Sequence, residues 1–269
     1  MNEATAGVYE RLWNPKAYLQ QFYSTAHVSG DEQANFRFLN AGLKQMDRLF
    51  DRAIEVGCGP TLHHAMAAAP YVDELHLADY MAANLDEIRL WLTGEAQQHD
   101  WDVYFRGLLD VEGCDDPFTL ENRKEVLRQR ITALKIADVR RNQPLDDGST
   151  YDLVLSFYCV EAVATSRDEW RQCLSNLCRL VAPGGVLFLS AVRQCHAYHV
   201  QNTTFRTACI DEGDFASVLP ELGFAPAKTE IRAVATADWS EQGFDGICCL
   251  RCEKDPYNQT TFYGTMVGT

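Results

Sequence analysis

No stretch of the 269-residue chain reaches the ~18 consecutive apolar residues that cross a bilayer, so no transmembrane segment is expected. The start, Met1-Asn2-Glu3-Ala4-Thr5, carries neither the basic nor the apolar segment of a secretory signal. Positive charge is scarce: 24 Lys and Arg face 38 Asp and Glu, a net charge of −14. Such a surface repels phosphate backbones and anionic lipid, which argues against nucleic acid and membrane partners. Internal repeats and low-complexity segments are missing too, which excludes solenoids and disordered tails as the main architecture. What remains is ordinary globular composition, 46% apolar and 23% charged, in a chain long enough for one large core. The ten cysteines sit mostly in apolar segments such as Ile247-Cys248-Cys249-Leu250. They read as buried reduced thiols of a cytoplasmic protein, which makes the Asn-x-Thr sequons at Asn202 and Asn258 chance matches.

Apolar spacing predicts a helical preamble over 9–50, with Leu39, Leu43, Met46 and Phe50 on one stripe. Strands are expected at 53–57, 74–79, 134–139, 151–160 and 186–192, and helices at 61–69, 84–92, 120–131 and 167–180. Residues 101–117 read as an interlude, and 230–238 with 246–253 as two strands joined by a polar turn. Alternation of this kind implies βαβ units, a parallel sheet with one antiparallel edge, and ligands at the strand C-termini. Residues 1–255 are expected to form a single domain that includes a helical lid over 1–50, and 256–269 a loose tail.

The strongest local signal is Glu55-Val56-Gly57-Cys58-Gly59-Pro60-Thr61. Glycine after a strand lets the backbone turn sharply and lets a ligand approach closely. The dinucleotide pattern GxGxxG stays incomplete, because His63 and His64 follow, so an NAD enzyme is disfavoured. Asp79 ends the next strand, where a carboxylate can accept from ribose hydroxyls. Asp138-Val139 ends the third strand, where the acid could receive an exocyclic adenine amine while Val139 covers the ring, and Pro183-Gly184-Gly185 precedes the fifth.

In this order the motifs resemble class I S-adenosylmethionine-dependent methyltransferases. A narrower resemblance is carried by Asn14-Pro15-Lys16-Ala17-Tyr18, Gly57-Cys58-Gly59-Pro60-Thr61, Ala78-Asp79-Tyr80, Asp110-Val111-Glu112-Gly113 and Ala182-Pro183-Gly184-Gly185. These look like the nicotinamide, phenylethanolamine and indolethylamine N-methyltransferase family. The resemblance implies an α/β fold, a doubly wound seven-stranded mostly parallel sheet, with a helical lid. It further implies S-adenosyl-L-methionine as cofactor and, as the reaction, methyl transfer to a nitrogen of a small amine or N-heteroaromatic acceptor by a monomer. Tyr18 would be the catalytic residue. The implied cofactor pocket comprises Tyr18, Tyr23, Gly57, Cys58, Gly59, Thr61, His63, Asp79, Tyr80, Asn84, Asp138, Val139, Phe157 and Tyr158. Asp79 would hold the ribose, Asp138 the adenine, and Thr61 with the amides after Gly59 the methionine carboxylate.

The acceptor side departs from the family. Ala191 stands where nicotinamide enzymes have an aspartate, and Cys195, His196 and Tyr198 follow where catecholamine enzymes place acids. With Tyr18 and Phe157 these residues are expected to line the acceptor, favouring a neutral or anionic molecule over nicotinamide or phenylethanolamine. For a hydroxyl or thiol acceptor, His196 or Glu161 would be the nearest base. The remaining readings are O-, S- or C-methylation, or a cofactor-binding protein without turnover. Cys249-Leu250-Arg251-Cys252 places its thiols on opposite sheet faces, and Cys195-His196 lacks a second ligand pair, so no metal site is expected.

Overall fold

The computed structural model describes residues 3–114, 117–244 and 246–257. Three helices open the chain: α1 (Glu3–Leu12), α2 (Pro15–Phe22) and α3 (Gly30–Met46). The alternating part runs β1 (Phe50–Val56), α4 (His63–Ala68), β2 (Val72–Asp79), α5 (Ala82–Thr93), α6 (Asp102–Glu112), α7 (Pro117–Arg130), β3 (Ile131–Ile136), β4 (Tyr151–Phe157), α8 (Arg167–Cys178) and β5 (Val181–Val192). A hairpin of β6 (Ala197–Val200) and β7 (Thr203–Arg206), then α9 (Glu212–Val218), β8 (Phe224–Ala235) and β9 (Gly246–Lys254), complete it.

The seven-stranded sheet has the order β3-β2-β1-β4-β5-β9-β8, with β9 antiparallel to both neighbours. Five strands are parallel, so both faces need cover, and both have it. Phe36, Leu39, Tyr104, Phe105 and Leu108 pack one face, while Trp170, Leu174, Leu177 and Phe215 pack the other. Gly42 lets α3 approach the sheet closely, since a Cβ there would lie 2.5 Å from the Phe188 ring. Local signals stop and start the helices as expected. Asn14 accepts from Ala17 N ahead of Pro15, Ser166 accepts from Glu169 N, and Asp211 forms a capping box with Asp214.

Several expectations need correction. The 101–117 interlude contains α6, whose Tyr104, Phe105, Leu108 and Leu109 are buried at helical spacing and whose end is capped by left-handed Gly113. The third strand starts and stops about one turn of chain earlier than the 134–139 expected, because its partners are Leu75 to Asp79 of β2. Asp138 therefore sits in the loop beyond the strand. The 9–50 preamble is broken at Trp13-Asn14 and at Tyr23 to Ser29, and its last residue, Phe50, opens β1. The β6–β7 hairpin and α9 had no clear sequence signal. Most of the expected tail, residues 258–269, lies outside the described residues.

The N-terminal helices pack on that hairpin through an aromatic group. Tyr9 lies 4.7 Å from Phe205 between ring centroids, and Tyr198 stacks on Phe205 at 5.3 Å. Tyr9 and Tyr198 share a hydroxyl hydrogen bond of 2.5 Å. This roof covers the C-terminal ends of the central strands, which is where an α/β sheet places its ligands.

Candidate active site

A cavity lies beneath the roof, at the ends of β1, β2 and β4, and holds about 1460 Å³ of empty space including its solvent-facing part.

The glycine turn forms one wall. Gly57 and Gly59 have φ of +69° and +58°, conformations that suit residues without a Cβ. A Cβ on Gly57 would collide with the Cys159 thiol, whereas one on Gly59 would meet nothing nearer than 3.9 Å. The space beside Gly59 is therefore open. Asp79, at the end of β2, secures the turn: Oδ2 accepts from Gly59 N at 2.8 Å, and Oδ1 accepts from Met81 N at 2.8 Å and Asn84 Nδ2 at 2.9 Å. Three donors leave this carboxylate room for one more. Burial raises its pKa. Asp138 is held instead by its own neighbour, with Arg140 Nε and an Nη donating to it at 2.7 and 2.9 Å. Arg140 in turn covers the Tyr80 ring at 4.4 Å.

The opposite wall is aromatic and acidic. Tyr18 and Tyr23 stand 5.6 Å apart, and burial raises both hydroxyl pKa values, so both stay protonated. Asp31 accepts from Trp239 Nε1 and from the Tyr158 hydroxyl, each at 3.0 Å. Tyr158 sits at φ +53°, a strained setting for a non-glycine residue, with its hydroxyl held by Asp31 and Asn35. Glu32 lies among Tyr23, Asn35, His63 and His64. Burial alone would lift its pKa, but the two histidines hold it well below the usual carboxylate range. Burial likewise works against a charged His64, yet Glu32 and Glu55 outweigh it and carry the imidazole to about 9. Burial and the neighbouring His64 lower His63 to about 4. Glu55, at the end of β1, is pushed up by burial.

Glu161 is the isolated acid of the site. One carboxylate oxygen accepts from Val192 N at 2.9 Å and the other has no partner, although the residue is only 1% exposed. Burial pushes it up to about 7.

Tyr18, Tyr23, Gly57, Cys58, Gly59, Thr61, Asp79, Tyr80, Asn84, Asp138, Val139, Phe157, Tyr158 and Tyr198 all line this cavity. Four expected site residues do not. His63 is shut behind Tyr23, Trp101 and Tyr104, all within 5.4 Å of its ring. Ala191 is fully buried opposite Cys248 in the β5–β9 ladder, and the period of two brings Val192 to the cavity instead. Cys195 is buried with its thiol donating to Ala197 O, and His196 is exposed beside Cys209. The uncharged acceptor wall expected from these residues is therefore not formed. Asp31, Glu32, Glu55 and Glu161 line the cavity instead. In the sequence Asp31 and Glu32 look like ordinary first-turn acids of α3, and only packing turns them inward.

A family model matches residues 3–255, spanning all but the ends of the chain. The chain belongs to the NNMT/PNMT/TEMT family. Relatives in this family include indolethylamine N-methyltransferase of Mus musculus, 25% identical over 92% of this chain and 95% of that protein. Nicotinamide N-methyltransferase of Homo sapiens is 26% identical over 80% and 83%, and phenylethanolamine N-methyltransferase of Bos taurus 28% over 69% and 68%. Among solved structures the fold is similar to magnesium protoporphyrin IX methyltransferase from Synechocystis PCC 6803 with bound SAM. The TM-score there is 0.57, at 13% identity over 93% of this chain and 97% of that one. The N-methyltransferase NodS from Bradyrhizobium japonicum WM9 with S-adenosyl-L-homocysteine gives 0.52, at 14% identity over 90% and 99%. These likenesses show the fold, a Rossmann-like class I methyltransferase.

Proposed function

We propose that this protein methylates a nitrogen of a small, cationic amine, with Glu161 as the group that meets the amine and takes its proton. The reaction class comes with the family: methyl transfer from S-adenosylmethionine to nitrogen of a small molecule. The residues present suit that cofactor, since the glycine turn lines the cavity with open space at Gly59 and Asp79 beside it keeps capacity to accept one more hydrogen bond. The loop from Gly57 to Thr61 would hold the amino-acid end, Asp79 with Asn84 the ribose, and Val139 beside Asp138 the base. The cofactor supplies an electrophilic methyl group on a cationic sulfur. The Tyr18 and Tyr23 rings provide faces that attract such a cation. The roof of α1, α2 and the β6–β7 hairpin keeps water from the reacting atoms.

The observation that carries the acceptor reading is the orphan oxygen of Glu161, buried in the cavity with no protein donor. A cationic amine is its natural partner, because leaving such a cation unpaired in a buried site costs several kcal/mol. A neutral nitrogen lone pair is the nucleophile, so the amine must shed a proton, and a carboxylate near pKa 7 is matched to that task. The ten cysteines are all free thiols, which suits a reducing cytoplasm. No helix among the described residues is long and apolar enough to cross a membrane. We read the enzyme as a single-domain monomer acting there on a free metabolite.

The test is a parallel panel of phenylethanolamine, tryptamine, nicotinamide, neutral azoles and amino acids with labelled cofactor, scored by kcat/KM. Cationic arylalkylamines should lead by more than ~10-fold, equal to ~1.4 kcal/mol of transition-state binding. A lead of that size for nicotinamide, an azole or an amino acid would overturn the reading.

A further inference from the structure

The histidine pair at the start of α4 has no part in the reading above, and its surroundings are unusual. Glu32 Oε1 lies 3.1 Å from His63 Nε2, and Glu32 Oε2 lies 2.8 Å from His64 Nε2. One ligand atom from each of these three residues falls within 4.8 Å of the others, and all three side chains are buried. Despite its proximity to Glu32, His63 Nε2 is not aligned for a hydrogen bond, and His63 Nδ1 has no partner either. A fully buried ring with two unpaired nitrogens is a group that calls for an ion or water to complete it.

Two imidazoles and one carboxylate form the His2Glu donor set of zinc sites that keep an open position. Imidazole suits zinc, as it does copper, iron and nickel, and zinc takes two histidines and a glutamate in a four-coordinate site. A supporting layer is also in place. Glu55 Oε1 stands 3.4 Å from His64 Nδ1, within reach of the ring though not aligned for a hydrogen bond, while Tyr23 and Asn35 donate to Glu32. We propose that Glu32, His63 and His64 bind one zinc ion, which ties α3 to α4 and turns its open position toward the cavity. Glu32 and His64 line that cavity, whereas His63 supplies the ligand from behind its wall.

The test uses the full, tag-free chain, stripped with a chelator and titrated with Zn²⁺ by calorimetry and with Co²⁺ by visible absorption. One equivalent of zinc should bind, and Co²⁺ should give the intense ligand-field bands of low-coordinate cobalt. His63→Tyr keeps a ring among Tyr23, Trp101 and Tyr104 while removing both imidazole nitrogens, so the aromatic packing should be retained. It should weaken zinc more than ~100-fold, since loss of a supporting residue alone costs 10–100-fold, and Glu55→Gln should fall within that smaller range. His196→Ala with Cys209→Ala, the exposed imidazole–thiol pair, should change nothing. Absence of stoichiometric binding to the parent chain would overturn the proposal. So would His63→Tyr and Glu55→Gln variants that bind zinc as the parent does, or binding that disappears only in the His196/Cys209 variant.

Discussion

Replacing Glu161 by glutamine tests the acceptor site through stability and through catalysis together. The side-chain amide oxygen can still accept from Val192 N, so the packing beside β5 is kept and only the ionisable oxygen is removed. Glu161 titrates at about 7 in the folded protein against an ordinary 4.5, because burial disfavours its charge. The folded state thus holds a proton that the unfolded state has released between those values. Its contribution to stability is greatest at low pH and is lost as pH rises from about 4.5 through about 7. At 1.36 kcal/mol per unit, the ionised carboxylate costs about 3 kcal/mol above that window. Urea unfolding of parent and Glu161→Gln at pH 4 and pH 8 reads the difference directly, since every other group titrates alike in both. The variant should gain about 3 kcal/mol on the parent between the two pH values. In kcat/KM the parent should show a limb rising through about pH 7, when Glu161 loses its proton. The variant should lack that limb and run ~100-fold slower at pH 8, the lower end of what a general base contributes. Parallel stability curves would mean that the second oxygen is paired in solution. An unchanged pH–rate profile would remove Glu161 from the reaction.

Asp79→Ala should weaken S-adenosylhomocysteine by ~2–3 kcal/mol in calorimetry, through loss of a charge-assisted contact and of the anchor on Gly59 N; unchanged affinity would contradict the cofactor pocket. The roof over residues 8–30 should gain hydrogen-exchange protection when S-adenosylhomocysteine binds, as expected of an element that opens for entry. Equal protection with and without it would make α1 and α2 a fixed wall, held by Tyr9 and Tyr198 at all times.

The elements that build the sheet were legible because their patterns are local. An apolar run ending in Gly57-Cys58-Gly59, and an acid closing the next strand, need no distant partner to be recognised, and both fall where the fold uses them. The same holds for the residues around the glycine turn and for Tyr18 and Tyr23, which reach the cavity. Legibility failed where a neighbour in space decides. The third strand takes its limits from its pairing with β2, and α6 shows its register only against α3 and α4. The resemblance pointed to Ala191, Cys195 and His196, but β5 turns Ala191 into the core, the loop after it buries Cys195, and His196 is left in solvent.

Sequence by itself thus determined the fold class and the family, and pointed to the glycine-turn residues that line the cavity, since each rests on short motifs in fixed order. Tertiary structure alone decided which acids face the cavity. Asp31 and Glu32 lie more than a hundred residues from Glu161, and nothing in either stretch states that all three face one cavity. Their inward direction follows from α3 packing across the sheet and from Val192 N holding Glu161 at the end of β4. Burial then sets the chemistry, because a carboxylate that would be an ordinary solvated acid on the surface becomes, without water, a group that titrates near neutrality.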